Sequence, residues 1–388
     1  MKVLMINEYG SWGGAEKVFF NSAKCLKNEG FEVKCILGNA GALEDRLKEA
    51  DISVELYGKS RDNLKENSFF IFGKRVPNIL ALIKNYSILK EHRIKVEEFI
   101  EEFNPDIIYL NNLRPLIIYK NCNIKTKVKV IWHEHGYQRS RIRQIILDNF
   151  MLKKIDKIIS VSNHTAEKHL TVVKDKIIVI NNGIDDIKDK NLSVDNKKKV
   201  IFIHPAFITR WKGQRVLLEA VKLLKNKYDE KTFKVQLVGG TRSDDDKKYL
   251  EELIEYCDTN NLNEEVEFLG YREDVINLIY NSDILISSSS EHDPFPTILL
   301  EGCCLGKGII ASDAGGSSDI VKVNENGFIF KMGDSDELAI NMENIINNRE
   351  LIKMLGEKSR KIYLQNFTLN IYNDNLLKLI NKIVGDIK

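Results

Sequence analysis

The sequence predicts an α/β protein of two domains, each a parallel sheet covered by helices. Three observations predict it. At 388 residues the chain is too long for one typical core. Short β-branched or apolar runs alternate with longer helical periods, the rhythm of strand–helix–strand crossovers. That rhythm breaks once, at a charged stretch poor in apolar residues, and then restarts.

In chain order, the first-half strands are expected at 3–6, 33–37, 54–56, 107–110, 128–132, 157–161 and 177–180. Helical periods separate most of them, including 15–27 and 78–102. The turn Asn181-Asn-Gly183 leads into the charged stretch 185–199, which reads as an interdomain linker. Strands then resume at 200–203, 234–238, 266–268, 284–287 and 308–311. Residues 369–387 read as an amphipathic helix with no strand after it.

Hydrophobic content of 43% and charged content of 29% exclude a disordered or membrane-spanning chain. No apolar run approaches the ~18–20 residues needed to cross a bilayer. The net charge of +2 gives no signal for nucleic acid as a partner. Residues 1–186 hold 30 Lys and Arg against 24 Asp and Glu, so the first half is the basic one. The six cysteines lack C-x-x-C spacing and sit in apolar patterns, as buried thiols in a reducing compartment would. The first residues are only strand-length and run at once into Asn7-Glu8, so no secretory signal is read and a cytoplasmic location is expected.

Three segments carry chemistry. Gly10-Ser-Trp-Gly-Gly-Ala-Glu16 joins the first strand to the first long helix, where Gly13 and Gly14 let the backbone approach an anion. It is not a G-x-G-x-x-G fingerprint, which disfavours a hydride-transferring enzyme. Phe207-Ile-Thr-Arg-Trp-Lys-Gly213 is its second-half counterpart, with Arg210 and Lys212 beside Gly213 at a helix start. Two such cations suit a diphosphate. Asp293-Pro-Phe-Pro-Thr-Ile-Leu-Leu-Glu301 places two carboxylates eight positions apart around a turn after an apolar strand. Strand ends and helix starts of open α/β sheets are where ligands bind, and two acids there can accept from several hydroxyls.

Taken with Asn182-Gly183-Ile-Asp185, Val238-Gly239-Gly240, Val266-Glu-Phe-Leu-Gly-Tyr271 and Gly315-Gly316-Ser-Ser-Asp319, these motifs span almost the whole chain. In order and spacing the chain resembles the retaining, nucleotide-sugar-dependent glycosyltransferases of family 4. The resemblance implies the GT-B fold, two Rossmann-like domains facing across a cleft. Residues 1–185 would be the acceptor domain, 186–198 the linker, 199–368 the donor domain, and 369–388 a helix packing back on the first domain.

The resemblance further implies that Asp293 binds donor-sugar hydroxyls, Glu301 the ribose and Lys212 the diphosphate. Gly13, Gly14, Gly213 and Gly239 would lie against the donor. Backbone amides across Phe295, Pro296 and Thr297 would meet its phosphates or sugar. The first acid is Asp where the family usually has Glu, one methylene shorter. Glu291 has the wrong, ten-residue spacing to Glu301. The family's frequent Gly-Arg falls on Ala206-Phe207, leaving Arg210 as the candidate replacement.

Trp132-His133-Glu134-His135-Gly136 ends a strand where the family places a histidine near the transferred sugar, and His135 is favoured over His133. Glu16, His133 and Arg139 are weaker acceptor candidates. No metal is expected, because a third ligand to the His-x-His pair is missing besides Glu134. The donor would be a UDP- or GDP-sugar and the acceptor a glycan or lipid-linked glycan. Basic and bulky apolar residues from Phe69 through Lys95, with Arg139, Arg141 and Arg143, suggest an acceptor patch or peripheral attachment to a membrane surface, against an ordinary helix with a solvated basic face. The implied activity is sugar transfer in cell-surface or exopolysaccharide assembly. A nucleotide-sugar epimerase and a non-catalytic nucleotide- or glycan-binding subunit are the alternatives.

Overall fold

A computed structural model describes residues 1–58, 68–71, 74–77, 79–138, 140–187, 199–229 and 231–385, with 68–84 by backbone alone. The chain divides into two compact units. One comprises Met1–Val161, Ala166–Ile180 and Asn373–Lys388, the other Ser162–Thr165 and Asn181–Tyr372.

The first unit holds a sheet of β1 (Lys2–Asn7), β2 (Glu32–Leu37), β3 (Ser53–Leu56), β6 (Ile107–Asn111), β7 (Lys129–Glu134), β8 (Lys157–Ser160) and β9 (Ile177–Val179). Between β3 and β6 lies an antiparallel hairpin of β4 (Ser68–Ile71) and β5 (Lys74–Pro77). The main sheet is parallel, in the order β3-β2-β1-β6-β7-β8-β9. Its helices are α1 (Gly14–Asn28), α2 (Ala42–Glu49), α3 (Ile79–Phe103), α4 (Leu113–Lys120) and α5 (Arg141–Ile146), with α6 (Asn163–Glu167) straddling the division. Leu4, Ile6, Ile36, Leu110, Val130 and Trp132 form the centre of its core. Strands covered on both faces need apolar side chains pointing both ways, which is why β1 reads Val-Leu-Met-Ile without alternation.

The second unit repeats the plan. Its parallel sheet runs β12 (Val266–Gly270), β11 (Phe233–Val238), β10 (Val200–Pro205), β13 (Ile284–Ser287), β14 (Gly308–Ser312) and β15 (Gly327–Phe330) in spatial order. Helices α7 (Gln214–Lys225), α8 (Asp244–Thr259), α9 (Val275–Tyr280), α10 (Thr297–Cys304), α11 (Ser317–Ile320), α12 (Ser335–Asn347) and α13 (Glu350–Asn366) complete it. The last helix, α14 (Leu369–Gly385), begins in this unit and ends in the first. Helix starts are set locally. Ser243 Oγ accepts the Asp246 N–H at 3.1 Å to cap α8, and Asp334 Oδ1 accepts the Glu337 N–H at 2.9 Å to cap α12.

In each sheet the strand order reverses once, between β1 and β6 and between β10 and β13. At such a switch point the loops leaving neighbouring strands diverge and open a crevice at the strand C-termini. Gly10–Glu16, Phe207–Gly213 and Asp293–Glu301 follow β1, β10 and β13, three of the strands at these switch points.

One expectation needs correction. The helix expected over 78–102 stands as α3, but the ordinary helix read across Phe69 to Lys95 begins only at Ile79, because residues before it pair as the β4–β5 hairpin. The expected linker is tied down at its beginning. Arg360 Nη1 donates to Asp186 Oδ1 at 2.8 Å, and the Ile187 N–H reaches Cys304 Sγ at 3.4 Å. Its remainder, 188–198, lies outside the described residues, as does Arg139. The six cysteines are buried and free.

Candidate active site

The loop after β10 ends in a short 3₁₀ turn, Arg210–Lys212, and then Gly213 with φ 69°. A side chain at Gly213 would be strained by that angle, and its Cβ would lie 1.8 Å from Ser288 O. The close approach lets the loop after β13 hold this turn by its carbonyls. Ser288 Oγ donates to Gly213 O at 2.9 Å and Ser290 Oγ to Arg210 O at 2.9 Å, while the Ser290 N–H donates to Trp211 O at 2.8 Å. His204, at the end of β10, completes the stitch. Its Nε2 lies 3.0 Å from Ser288 Oγ, whose own proton goes to Gly213 O, so Nε2 is the donor. Burial, assisted by the Lys212 charge, pushes this imidazole down to about 4 and keeps it neutral.

The stitched turn aims Lys212 at the acid loop. Lys212 Nζ lies 2.7 Å from Asp293 Oδ2, with side chains only 17% and 12% exposed. Asp293 is itself fixed from the loop after β14, where the Gly316 N–H donates to Asp293 O at 2.9 Å. A Cβ at Gly315 would lie 2.1 Å from that same oxygen. Three strand-end loops thus converge on one cation and one carboxylate.

Helix α10 starts immediately beyond. Phe295 is buried edge-on to Phe367 at 6.0 Å, so it contributes backbone and packing. Pro296 is the N-cap residue and has no N–H, which narrows the expected amide donors to Phe295 and Thr297. Glu301 lies half-buried, one turn into the helix.

Arg210 is engaged elsewhere. Its Nη1 and Nη2 fork onto Glu252 at 2.8 and 2.6 Å, and its guanidinium lies 4.8 Å over the Tyr249 ring. At Phe207, where the resembled family has arginine, the structure supplies a guanidinium from the next loop. Arg242 sits 3.3 Å from the Phe207 ring centroid, and burial lowers its affinity for a proton. The two loops are zipped there by Ala206 N–H to Val238 O at 2.9 Å and Ile208 N–H to Gly240 O at 3.0 Å. Gly239 permits this, since its Cβ would meet Ala206 O at 1.9 Å. Sequence reasoning missed Arg242, because nothing local links residues 207 and 242.

In the first unit, Gly13 is the N-cap of α1 and donates its N–H to Glu16 Oε2 at 3.1 Å. Glu16 is thereby a buried helix-capping acid, with burial raising its pKa. Gly14 differs, since a Cβ built there meets no atom within 4 Å. The fold does not demand a glycine at this position.

His133 and His135 part company at the end of β7. His133 is fully buried, with Nδ1 on the Tyr109 hydroxyl and Nε2 without a partner among the described residues. His135 is half-buried, and its ring lies 4.3 Å from that of His133. Asn111 Nδ2 donates to Asn7 Oδ1 at 2.8 Å, which turns Asn111 Oδ1 toward His135 Nε2 at 2.9 Å. His135 Nε2 must therefore carry the proton, leaving Nδ1 as an acceptor. Burial lowers the pKa of both imidazoles, so both stay neutral.

Glu134, between them, points the other way. Its Oε2 meets His169 Nε2 at 2.9 Å, while His169 Nδ1 meets Asp148 Oδ1 at 2.7 Å, all three side chains being buried. Ser160 Oγ and Gln144 Nε2 complete this enclosed network. Sequence reasoning missed it, since its members are scattered through the chain and share no motif.

Comparison with known proteins accords with these features. A sequence model described as Glycosyltransferase Family 4 matches residues 12–187, and one described as Glycosyl transferases group 1 matches residues 184–362. The chain is 25% identical, over 95% of its length and 92% of the relative's, to the UDP-Gal:alpha-D-GlcNAc-diphosphoundecaprenol alpha-1,3-galactosyltransferase of Escherichia coli. It is 24% identical, over 89% and 94%, to the N,N'-diacetylbacillosaminyl-diphospho-undecaprenol alpha-1,3-N-acetylgalactosaminyltransferase of Campylobacter jejuni. Among solved structures, Anabaena HepE in complex with UDP superposes with a TM-score of 0.80 at 21% identity, covering 98% of this chain and 100% of that one. Parallel-sheet units, strand-end motifs and matches along nearly the whole chain place this protein in the family-4 glycosyltransferases of GT-B fold.

Proposed function

We propose that the chain moves a sugar from a nucleoside diphosphate donor to a hydroxyl of a lipid-linked glycan, with retention of anomeric configuration. The observation that carries this reading is the 2.7 Å pair of Lys212 and Asp293 at the switch point of the second sheet. A diphosphate arriving at Lys212 takes over the ammonium's hydrogen bonds. The carboxylate of Asp293, so released, accepts from hydroxyls of the attached sugar. As the glycosidic bond to the diphosphate breaks, negative charge grows on the leaving oxygen, and Lys212 stabilises it. Glu301 accepts from the ribose, and His135 offers Nδ1 to a sugar hydroxyl. Retention rests on the resemblance to family 4, with the leaving phosphate taking the acceptor's proton on the same face.

A uridine donor is supported by the UDP bound in HepE and by the UDP-Gal named for the Escherichia coli relative. Both named bacterial relatives act on undecaprenol diphosphate-linked sugars, which supports an acceptor of that class. A melting-shift comparison of UDP, GDP and their sugars tests the donor, because a ligand of the folded state raises Tm. Transfer from the stabilising donor to a polyisoprenyl diphosphate sugar, with the product's anomeric form read by NMR, tests the rest. Absence of any nucleotide-dependent shift or transfer would overturn the reading.

Two variants refine it. Arg242, held on Phe207, is proposed as the second phosphate-facing cation in preference to Arg210, whose fork with Glu252 would have to open. Arg242→Gln should raise the donor KM by about tenfold to a hundredfold, the worth of a charge-assisted hydrogen bond, whereas Arg210→Gln should change it little. The reverse order would return the role to Arg210. Gly14→Ala should leave Tm unchanged or slightly higher, because alanine is the better helix former. It should nevertheless slow transfer, since the added methyl would meet the donor proposed to lie against Gly14. A drop in Tm with normal transfer would show that the glycine serves the fold.

A further inference from the structure

Helix α5 continues through a π turn (Leu147–Met151) and a 3₁₀ turn (Leu152–Lys154), and its amphipathicity is inverted. The inward face carries Gln144 and Asp148, both buried and both bonded into the His169 network. The outward face carries Ile142, Ile145, Ile146 and Phe150, which are 71%, 38%, 47% and 57% exposed. Their spacing of three and four residues puts them on one stripe. Val172, 57% exposed, extends the patch across a groove lined by Ile145, Phe150, Leu152 and Val173. Scattered exposed apolar residues are ordinary, but five together on one face mark an interaction surface.

The rim of this patch identifies what it meets. Arg141, Arg143, Lys153, Lys154 and Lys174 are exposed on the segments that carry it, with Asp175 exposed next to Lys174. Lys153 Nζ lies 5.7 Å over the Phe150 ring, and Lys120 Nζ holds the Phe150 carbonyl. An apolar stripe edged by cations fits the headgroup region of an anionic bilayer, where the stripe enters the acyl boundary and the cations meet phosphates. No helix among the described residues is long and apolar enough to cross a membrane. We infer that the Arg141–Lys154 face of the first unit docks on an anionic membrane surface, bringing the enzyme to its acceptor. The inference deepens the reading of a lipid-linked acceptor, but its test uses neither donor nor acceptor.

The full-length protein is mixed with phosphatidylglycerol or phosphatidylcholine vesicles and centrifuged. The wild type should sediment with the anionic vesicles, less with the neutral ones, and less as salt rises. Ile142→Ser with Phe150→Ser should lower the partition coefficient by about tenfold or more, given the apolar area withdrawn. Arg141→Gln with Arg143→Gln should weaken binding to phosphatidylglycerol alone. Both double variants change exposed side chains, so Tm and the nucleotide-induced melting shift should match the wild type. A wild type that stays in the supernatant, or a serine variant that binds equally well, would overturn the inference. So would light scattering that shows a wild-type dimer and a monomeric serine variant, since the patch would then join two copies of the chain. Vesicle binding without any nucleotide-induced shift would leave the docking surface standing and remove the transferase reading instead.

Discussion

Lys212→Ala should reduce kcat by about 10²–10³, the usual cost of losing a preorganised donor aimed at developing charge, with a fall in Tm limited to that of leaving the less deeply buried Asp293 without its partner. The loop that carries Lys212 is held by Ser288 and Ser290 through its backbone carbonyls, and these bonds survive the substitution. The ammonium acts on charge that appears as the bond breaks, so the loss belongs in kcat. Glu301→Ala should behave differently. Its proposed partner is the ribose, which does not change between ground and transition state, so the donor KM should rise more than kcat falls. Steady-state kinetics with the donor that raises Tm, alongside thermal unfolding, separates the two patterns. Wild-type turnover in both variants would remove these residues from the site.

The second large effect concerns stability. His169→Ala should destabilise the protein by roughly 3–5 kcal/mol, because it leaves the buried carboxylates of Glu134 and Asp148 facing each other without the cation between them. Burial works against the imidazolium, but the hydrogen bonds and charges of Asp148 and Glu134 overcome it and push its pKa up to about 9. A histidine whose folded pKa is raised contributes stability that is complete below its unfolded value of ~6.5. That contribution fades as pH climbs toward 9. Glu134 is also raised, by burial, and its contribution likewise falls with rising pH. The Tm difference between wild type and His169→Ala should therefore be large at pH 6 and shrink by pH 9. An equal difference at the two pH values would show that His169 acts by packing and not by charge.

Much of this architecture was legible in the sequence because buried parallel strands have to be apolar on both faces. Val200–Pro205 and Ile284–Ser287 stand out as β-branched runs for that reason. The end of β7 was not legible. The expected strand stopped at Trp132, whereas the observed one continues through His133 and Glu134. Two polar residues look like a loop until the Tyr109 hydroxyl, Ser160 and His169 are seen to satisfy them. β15 was missed because Gly327–Phe330 opens on the glycine of Asn324-Glu-Asn-Gly327, which reads as a turn. Of the proposed site residues, Lys212, Asp293 and Glu301 could be picked out by their motif spacing. Arg242 could not be, since it reaches Phe207 through two loops that are neighbours only once β10 and β11 have paired.

The stitched turn at Arg210–Gly213 has one more consequence. A mobile loop must surrender its freedom when a ligand arrives, and that entropic penalty is subtracted from affinity. Here the hydroxyls of Ser288 and Ser290 arrest the turn as the unit folds, so for the donor proposed to bind there the penalty falls on folding and is absent at binding. Neither serine has to touch a ligand for this to hold, and both shape how tightly one is kept.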